Sequence, residues 1–302
     1  MRKTMKETEK RYLPKDSDLS STDAVDALRI ILYNYSNAIL SYKTRILLHD
    51  DPEDLHKFRV NIRKSRAFLK EFAFLFPEEQ QSCFSENLKE FATQTNQKRD
   101  LDVIEERLEA LENGHGKLQE EIDRQRDQEQ QHIREMLQSK AFEDFFHTYQ
   151  STLKKERLLT ADNKQDTIDT TARKVIRKRH RKILKKIEAL EKEPESRKLH
   201  KIRISLKKLR YLLEEFQHIF GEDKSEKMID KGKKLQDLLG DYNDTVNQAA
   251  LIHHYLASHT TNLSERQALE ERLLEETAKD RKKLLREAMK ELHRFRTQPF
   301  PL

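Results

Sequence analysis

One segment of this chain occurs twice. LHKFRVNIRKSRAFLKEF at residues 55–72 returns as LHKIRISLKKLRYLLEEF at 199–216, 144 positions later, with half of its 18 positions identical. The same offset, with no gap, pairs Arg29 with Arg173, Leu40 with Leu184 and Asp100 with Asp244. A gapless correspondence over that span is hard to obtain by chance, and it implies two copies of one structural unit. The unit must be helical. Tight turns consume glycine, proline and asparagine, and the 302 residues contain only 5 glycines and 6 prolines. Glu, Lys, Leu, Arg and Gln dominate, and all are good helix formers. Apolar residues make up only 35%, which suffices because antiparallel helices each need one narrow apolar stripe. The expected fold is all-α: two tandem, pseudo-symmetric four-helix bundles of long antiparallel helices.

Breakers and periodicity set the expected boundaries. Residues 1–20 read as a charged, disordered tail. The first half covers 21–159, the stretch TADNKQDT at 160–167 reads as a linker, and the second half covers 168–297. Predicted helices run over about 22–48, from Asp51-Pro52 to near Pro77, 78–112 (stopped by Asn113-Gly114) and 116–157. The polar middle of the last, DRQRDQEQQ, is expected to bend or fray. The second half should hold helices over about 168–193, 195–220 (stopped by Gly221), 223–257 and 263–295.

The repeated segment carries two stripes. Leu199, Ile202, Leu206, Leu209, Leu213, Phe216 and Phe220 recur at alternating spacings of three and four, the pattern of a bundle seam. One residue further, roughly 100° around the helix, lie His200, Arg203, Lys207 and Arg210. The first copy has the seam Leu55, Phe58, Ile62, Ser65, Leu69 and Phe72, flanked by His56, Arg59, Arg63, Arg66 and Lys70. A solvated charged face usually lies opposite the core and mixes signs. These stripes abut the seam and, histidine apart, carry only positive charge. Like charges one turn apart destabilise an isolated helix by a few tenths of a kcal/mol per pair, so folding alone does not ask for them. A bound polyanion does. Successive cations lie about 5 Å apart along the axis, which suits a ligand presenting phosphates along a line.

The helix predicted at 168–193 adds nine Lys or Arg and no acid between Thr170 and Ile187. Arg173, Arg177 and Arg181 share one face. His180 falls among Ile176, Ile183 and Ile187, on the apolar side. The net charge of +6 matters through this clustering. Cys83 is the single cysteine, so no intramolecular disulfide forms. It reads as a buried or half-buried thiol. No apolar stretch has the length of a signal peptide or a membrane span, and the chain reads as soluble and cytoplasmic. No phosphate-cradling glycine loop is present and no paired carboxylates stand in an apolar setting, so no enzyme activity and no cofactor are expected. Asp241, Asn243 and Asp244 lack the spacing of a calcium loop, and His253, His254 and His259 are too loosely spaced for a metal site.

At these residues the chain resembles the CHAD domain family, the conserved histidine α-helical domains. The family's first signature reads approximately H-x-x-R-V-x-x-R-R-x-R, matched by His56, Arg59, Val60, Arg63, Lys64 and Arg66. Its second reads approximately H-x-x-R-I-x-x-K-x-x-R-Y, matched by His200, Arg203, Ile204, Lys207, Arg210 and Tyr211. KRDLDV at 98–103 and LQDLLGDYND at 235–244 resemble its follow-on segments. The resemblance spans about 22–295 and implies two four-helix bundles with a basic channel or groove for inorganic polyphosphate, and association with polyphosphate granules. The residues it implies for the ligand include Lys64 and its counterpart Lys208. Lys64 stands where arginine is usual, keeping the charge and losing the bidentate fork. Asp100 and Asp244 are expected to orient neighbouring arginines.

Other readings have their own signatures. A nucleic-acid-binding helical protein would interleave aromatics for base stacking, and the stripes lack them. A metal-dependent phosphatase would use Asp100, Asp244 and the histidines. A scaffold would recruit an acidic protein to the same basic faces.

Overall fold

The computed structural model describes residues 22–109, 116–154, 166–192, 195–219, 221, 226–243 and 281–297. It is all-α, with no strand among the described residues. The helices are α1 (Ala24–Leu48), α2 (Pro52–Glu71), α3 (Glu78–Gln94), α4 (Asn96–Glu109), α5 (Gly116–Gln138), α6 (Lys140–Lys154), α7 (Ile168–Lys192) and α8 (Ser196–Glu215). Two further segments, α9 (226–243) and α10 (281–297), are also helical. The tail at 1–20, residues 160–165 of the linker, Asp244 and the three histidines at 253–259 lie outside the described residues.

Local chemistry starts these helices. Asp23 caps α1 by accepting from the backbone N–H groups of Val25 (2.9 Å) and Asp26 (3.4 Å). Asp51 caps α2 through Glu53 N–H at 2.9 Å, with Pro52 at the first helical position. Asp23 also forms an antiparallel bridge with Thr167, 144 residues on. Its two hydrogen bonds, Ala24 N–H to Asp166 O (3.3 Å) and Ile168 N–H to Thr22 O (2.9 Å), join equivalent positions of the repeat. The starts of α1 and α7 therefore meet across a local two-fold axis.

The described residues fall into two compact units, and these do not coincide with the sequence halves. One comprises Met1–Asn96 with Glu129–Val175, the other Gln97–Gln128 with Ile176–Leu302. Each unit thus takes helices from both sides of the expected linker. In the first, α1 packs on α2 and α6, and α2 on α3. The predicted seam of α2 (Leu55, Phe58, Ile62, Ser65, Leu69, Phe72) is buried throughout. Behind it stands an aromatic cluster. Phe142 lies 4.5 Å from Phe146, 4.9 Å from Phe91 and 6.4 Å from Phe58 between ring centroids, and Phe84 lies 4.7 Å from Tyr149. In the second unit the seam of α8 from Leu199 to Phe216 is likewise buried.

Two expected helices are broken. The one expected over 78–112 divides at Thr95 into α3 and α4, and the one over 116–157 divides at Ser139 into α5 and α6. Ser139 Oγ donates to Met136 O (2.7 Å) and accepts from Phe142 N–H (3.2 Å), ending one helix and capping the next. The polar middle of α5 is continuous helix. There Arg126 pairs with Glu105 (2.6 Å) and Asp102 (3.3 Å), and Lys98, only 1% exposed, stands 3.7 Å from Asp102. Cys83 is exposed rather than buried, since α3 turns Phe84, Leu88 and Phe91 inward.

His180 is buried, as its apolar neighbours required, with the Phe295 ring 5.6 Å away. Burial pulls its pKa down from 6.5 to about 4. As pH falls, the unfolded chain takes up this proton first, so folding stability is complete above pH 6.5 and declines towards pH 4. The loss should reach about 2 kcal/mol. His180→Leu should flatten that part of a urea-melting profile; an unchanged profile would mean the imidazole is hydrated.

Candidate polyanion-binding stripes

α2 positions the first stripe because its buried seam fixes the helix's rotation. His56 and Lys70 are exposed, and Arg59, Arg63, Lys64 and Arg66 are half-buried. These groups differ in how far the fold engages them. Arg59 is committed to the α3–α4 break. Its guanidinium donates to Ala92 O at 2.8 Å, to Thr95 Oγ1, and to Asn96 Oδ1 at 2.8 Å. The last carbonyls of a helix lack intrahelical donors and form the negative end of its dipole, so a cation there is favoured. Lys64 Nζ lies over the Tyr35 ring at 5.8 Å.

Arg63 and Arg66 are different. The Nε atoms of both are buried and have no hydrogen-bond acceptor among the described residues. Desolvation pulls the Arg66 pKa below its ordinary value. The fold therefore holds two adjacent guanidinium groups partly out of water, with donors left unsatisfied.

The second stripe, on α8, repeats the arrangement with other partners. His200 is exposed, and Arg203, Lys207, Lys208 and Arg210 are half-buried. His200 Nδ1 lies 2.9 Å from Asn243 Oδ1. With Nδ1 donating to that oxygen, Nε2 is left for a ligand, and it donates to a phosphate only when the ring is charged. Arg203 lies against Gly240, where a β-carbon would stand 3.8 Å from Arg203 Nε. Gly240 follows Asn96 by 144 residues, so equivalent arginines meet equivalent positions on their neighbouring helices. Arg210 Nε stands 3.2 Å from Glu214 Oε1 and the guanidinium lies over the Tyr211 ring at 5.6 Å.

On α7, Arg173 is half-buried and Arg177 and Arg181 are exposed. By residue range Arg173 belongs to the first unit and the other two to the second. Not all of the basic run is available: Lys186 Nζ donates to Ser205 Oγ (2.5 Å) and Lys201 O (3.3 Å), tying α7 to α8. Arg29, the counterpart of Arg173, is buried and structural, bonding Leu153 O at 2.8 Å and Asp26 at 2.7 Å. The partners of Arg59 and His200, namely Thr95, Asn96 and Asn243, were not among the expected site residues. The Thr-Asn pair at 95–96 in the polar stretch TQTNQKR is the signal that could have marked the break. Asp100 is exposed, while the carboxylate that meets an arginine in that segment is the buried Asp102. Among the described residues no three His, Cys, Asp or Glu side chains stand close enough to hold a metal, and no helix is long and apolar enough to cross a membrane.

Comparison with known proteins agrees with this geometry. No curated protein matches the chain by sequence. Among solved structures, the crystal structure of the CHAD domain from the plant Ricinus communis superposes with a TM-score of 0.77. It is 22% identical, over 94% of this chain and 95% of that one. PptA from Streptomyces chartreusis superposes with a TM-score of 0.65 at 16% identity, over 90% of this chain and all of that one. The model of the CHAD domain matches residues 31–253, which include both basic stripes. The chain therefore belongs to the CHAD domain family.

Proposed function

We propose that the chain is a binding module for inorganic polyphosphate, held along the basic stripes of α2 and α8, and that it serves at polyphosphate granules rather than as a catalyst. One observation carries the reading. Arg63 and Arg66 keep buried Nε donors that no acceptor among the described residues satisfies. Leaving a buried donor unsatisfied costs about 1–3 kcal/mol, more for a charged group. Phosphate oxygens would supply the missing acceptors through charge-assisted hydrogen bonds. The roughly 5 Å rise between successive cations favours a chain of phosphates over a lone one, and the family's association with polyphosphate supports the same ligand.

Calorimetric titration with polyphosphates of several lengths, beside pyrophosphate, inositol hexakisphosphate and a short RNA, tests the proposal. Affinity should rise with polyphosphate length, fall steeply with salt as counterions are released, and exceed that for RNA at equal salt. Equal, shallow binding of every polyanion would reduce the stripes to general positive charge.

A further inference from the structure

The two stripes are copies, but they end differently. The spacing that takes α2 from His56 through Arg59, Arg63 and Arg66 reaches Lys70. The same spacing takes α8 from His200 through Arg203, Lys207 and Arg210 to Glu214. Lys70 adds a fifth basic group to the first row. Glu214 places a carboxylate in the second row, 3.2 Å from Arg210 Nε.

Local folding does not explain that carboxylate. Glu214 and Glu215 both lie in the last turn of α8, which holds no basic residue. There an acid opposes the negative end of the helix dipole, which disfavours it by about 0.3–1 kcal/mol. The pair with Arg210 returns little. Both side chains are a quarter or more exposed, and a cation four residues before an acid is the weaker order for such a pair. In α2 the last turn carries Lys70, the sign the dipole favours. Arg66, the counterpart of Arg210, keeps its buried Nε without an acceptor.

From this difference we infer that the α2 stripe is the principal phosphate track of the chain and that Glu214 is a built-in counter-anion that weakens the α8 stripe. The inference rests on the polyphosphate reading above and sets which residues determine affinity within it. A phosphate approaching Arg210 meets the repulsion of Glu214 or must displace it. One approaching Arg66 meets Lys70. The two rows then differ by two units of charge at one end, so a polyphosphate loads on α2 first and reaches α8 more weakly. Lys70 and Glu214 become the residues that set the ranking.

The test uses the whole chain and a polyphosphate of defined length in calorimetric titrations at three salt concentrations. The variants are Glu214→Lys, Lys70→Glu, Arg66→Gln and Arg210→Gln. Lys70 is exposed and Glu214 is half-buried, and thermal melts verify that each variant is folded. Glu214→Lys should tighten binding about tenfold, and Lys70→Glu should loosen it about tenfold, at low salt. The slope of log affinity against log salt should steepen in the first and flatten in the second by about one. Arg66→Gln should lose at least about tenfold more affinity than Arg210→Gln. If the unaltered chain binds but the Lys70 and Glu214 variants leave affinity unchanged, or Arg66→Gln and Arg210→Gln cost the same, the inference is wrong and the stripes are equivalent. If the unaltered chain binds no polyphosphate, the functional reading fails and takes this inference with it.

Discussion

Replacing Arg63 and Arg66 together by glutamine should lower polyphosphate affinity by about 100-fold at low salt without lowering the melting temperature. The two halves of that expectation have one cause. In the folded chain each guanidinium has a buried Nε with no acceptor, and the two sit one turn apart on α2. Their mutual repulsion, worth a few tenths of a kcal/mol, and their unsatisfied donors both burden the ligand-free protein. Glutamine removes the charge and keeps a flexible polar chain, so stability should hold or rise. Binding loses two charge-assisted contacts of about 1.5–3 kcal/mol each. Groups that function at a cost to the empty fold show this opposition of stability and activity. Arg59 should behave in the reverse sense. Arg59→Gln removes the donors to Ala92 O, Thr95 and Asn96 and should lower the melting temperature while changing affinity less. Lys3→Gln with Lys6→Gln, outside the described residues, provides the background for lost charge alone. An Arg63/Arg66 variant that bound as well as this control would move the site off α2.

The contrast between Arg59 and its stripe neighbours also marks where sequence legibility ends. The all-α class and the rotation of α2 and α8 followed from periodicity, because a seam such as Leu55–Phe58–Ile62 is a property of one helix and needs no partner to be seen. The basic stripes were visible for the same reason. What each arginine touches was not. Arg59 meets Thr95 across 36 residues of sequence, and that contact depends on where α3 happens to end. The break itself escaped notice because threonine is only a mild helix breaker. It stops the helix here because its hydroxyl bonds back to Ala92 O at 2.9 Å while Arg59 takes the same carbonyl. The reverse error arose in α5. A polar run reads as weak helix on propensity alone, yet Arg126 finds Asp102 and Glu105 on a segment more than 20 residues earlier. Gln130, further along, reaches Ile46 O at 3.4 Å. Nor could a linker in sequence reveal that each compact unit draws on both halves, since repeat boundaries and packing boundaries obey different constraints.

The largest loss of stability should come from Phe142→Ala. Its ring is fully buried. It contacts Phe58 on α2, Phe91 on α3 and Phe146 on its own helix α6, with Lys43 Nζ of α1 over its face at 5.1 Å. Four helices therefore converge on one side chain. Truncation removes the transfer energy of the ring and leaves a cavity that four fixed backbones cannot close, a loss of about 3–5 kcal/mol. That is a large share of the 5–15 kcal/mol available to an ordinary domain. Denaturant melts should show the midpoint falling with little change in slope. Phe74→Ala, at a ring 64% exposed, should leave the midpoint almost unmoved. The comparison bears on function because Phe58 is the seam residue beside Arg59. If the aromatic cluster is what holds α2 in its rotation, Phe142→Ala measured below its melting range should also weaken polyphosphate binding, although Phe142 belongs to neither stripe. A midpoint shift with unaltered affinity would assign that rotation to the α1 contact and to the caps at Asp51 and Arg59, leaving the aromatic cluster as bulk stabilisation.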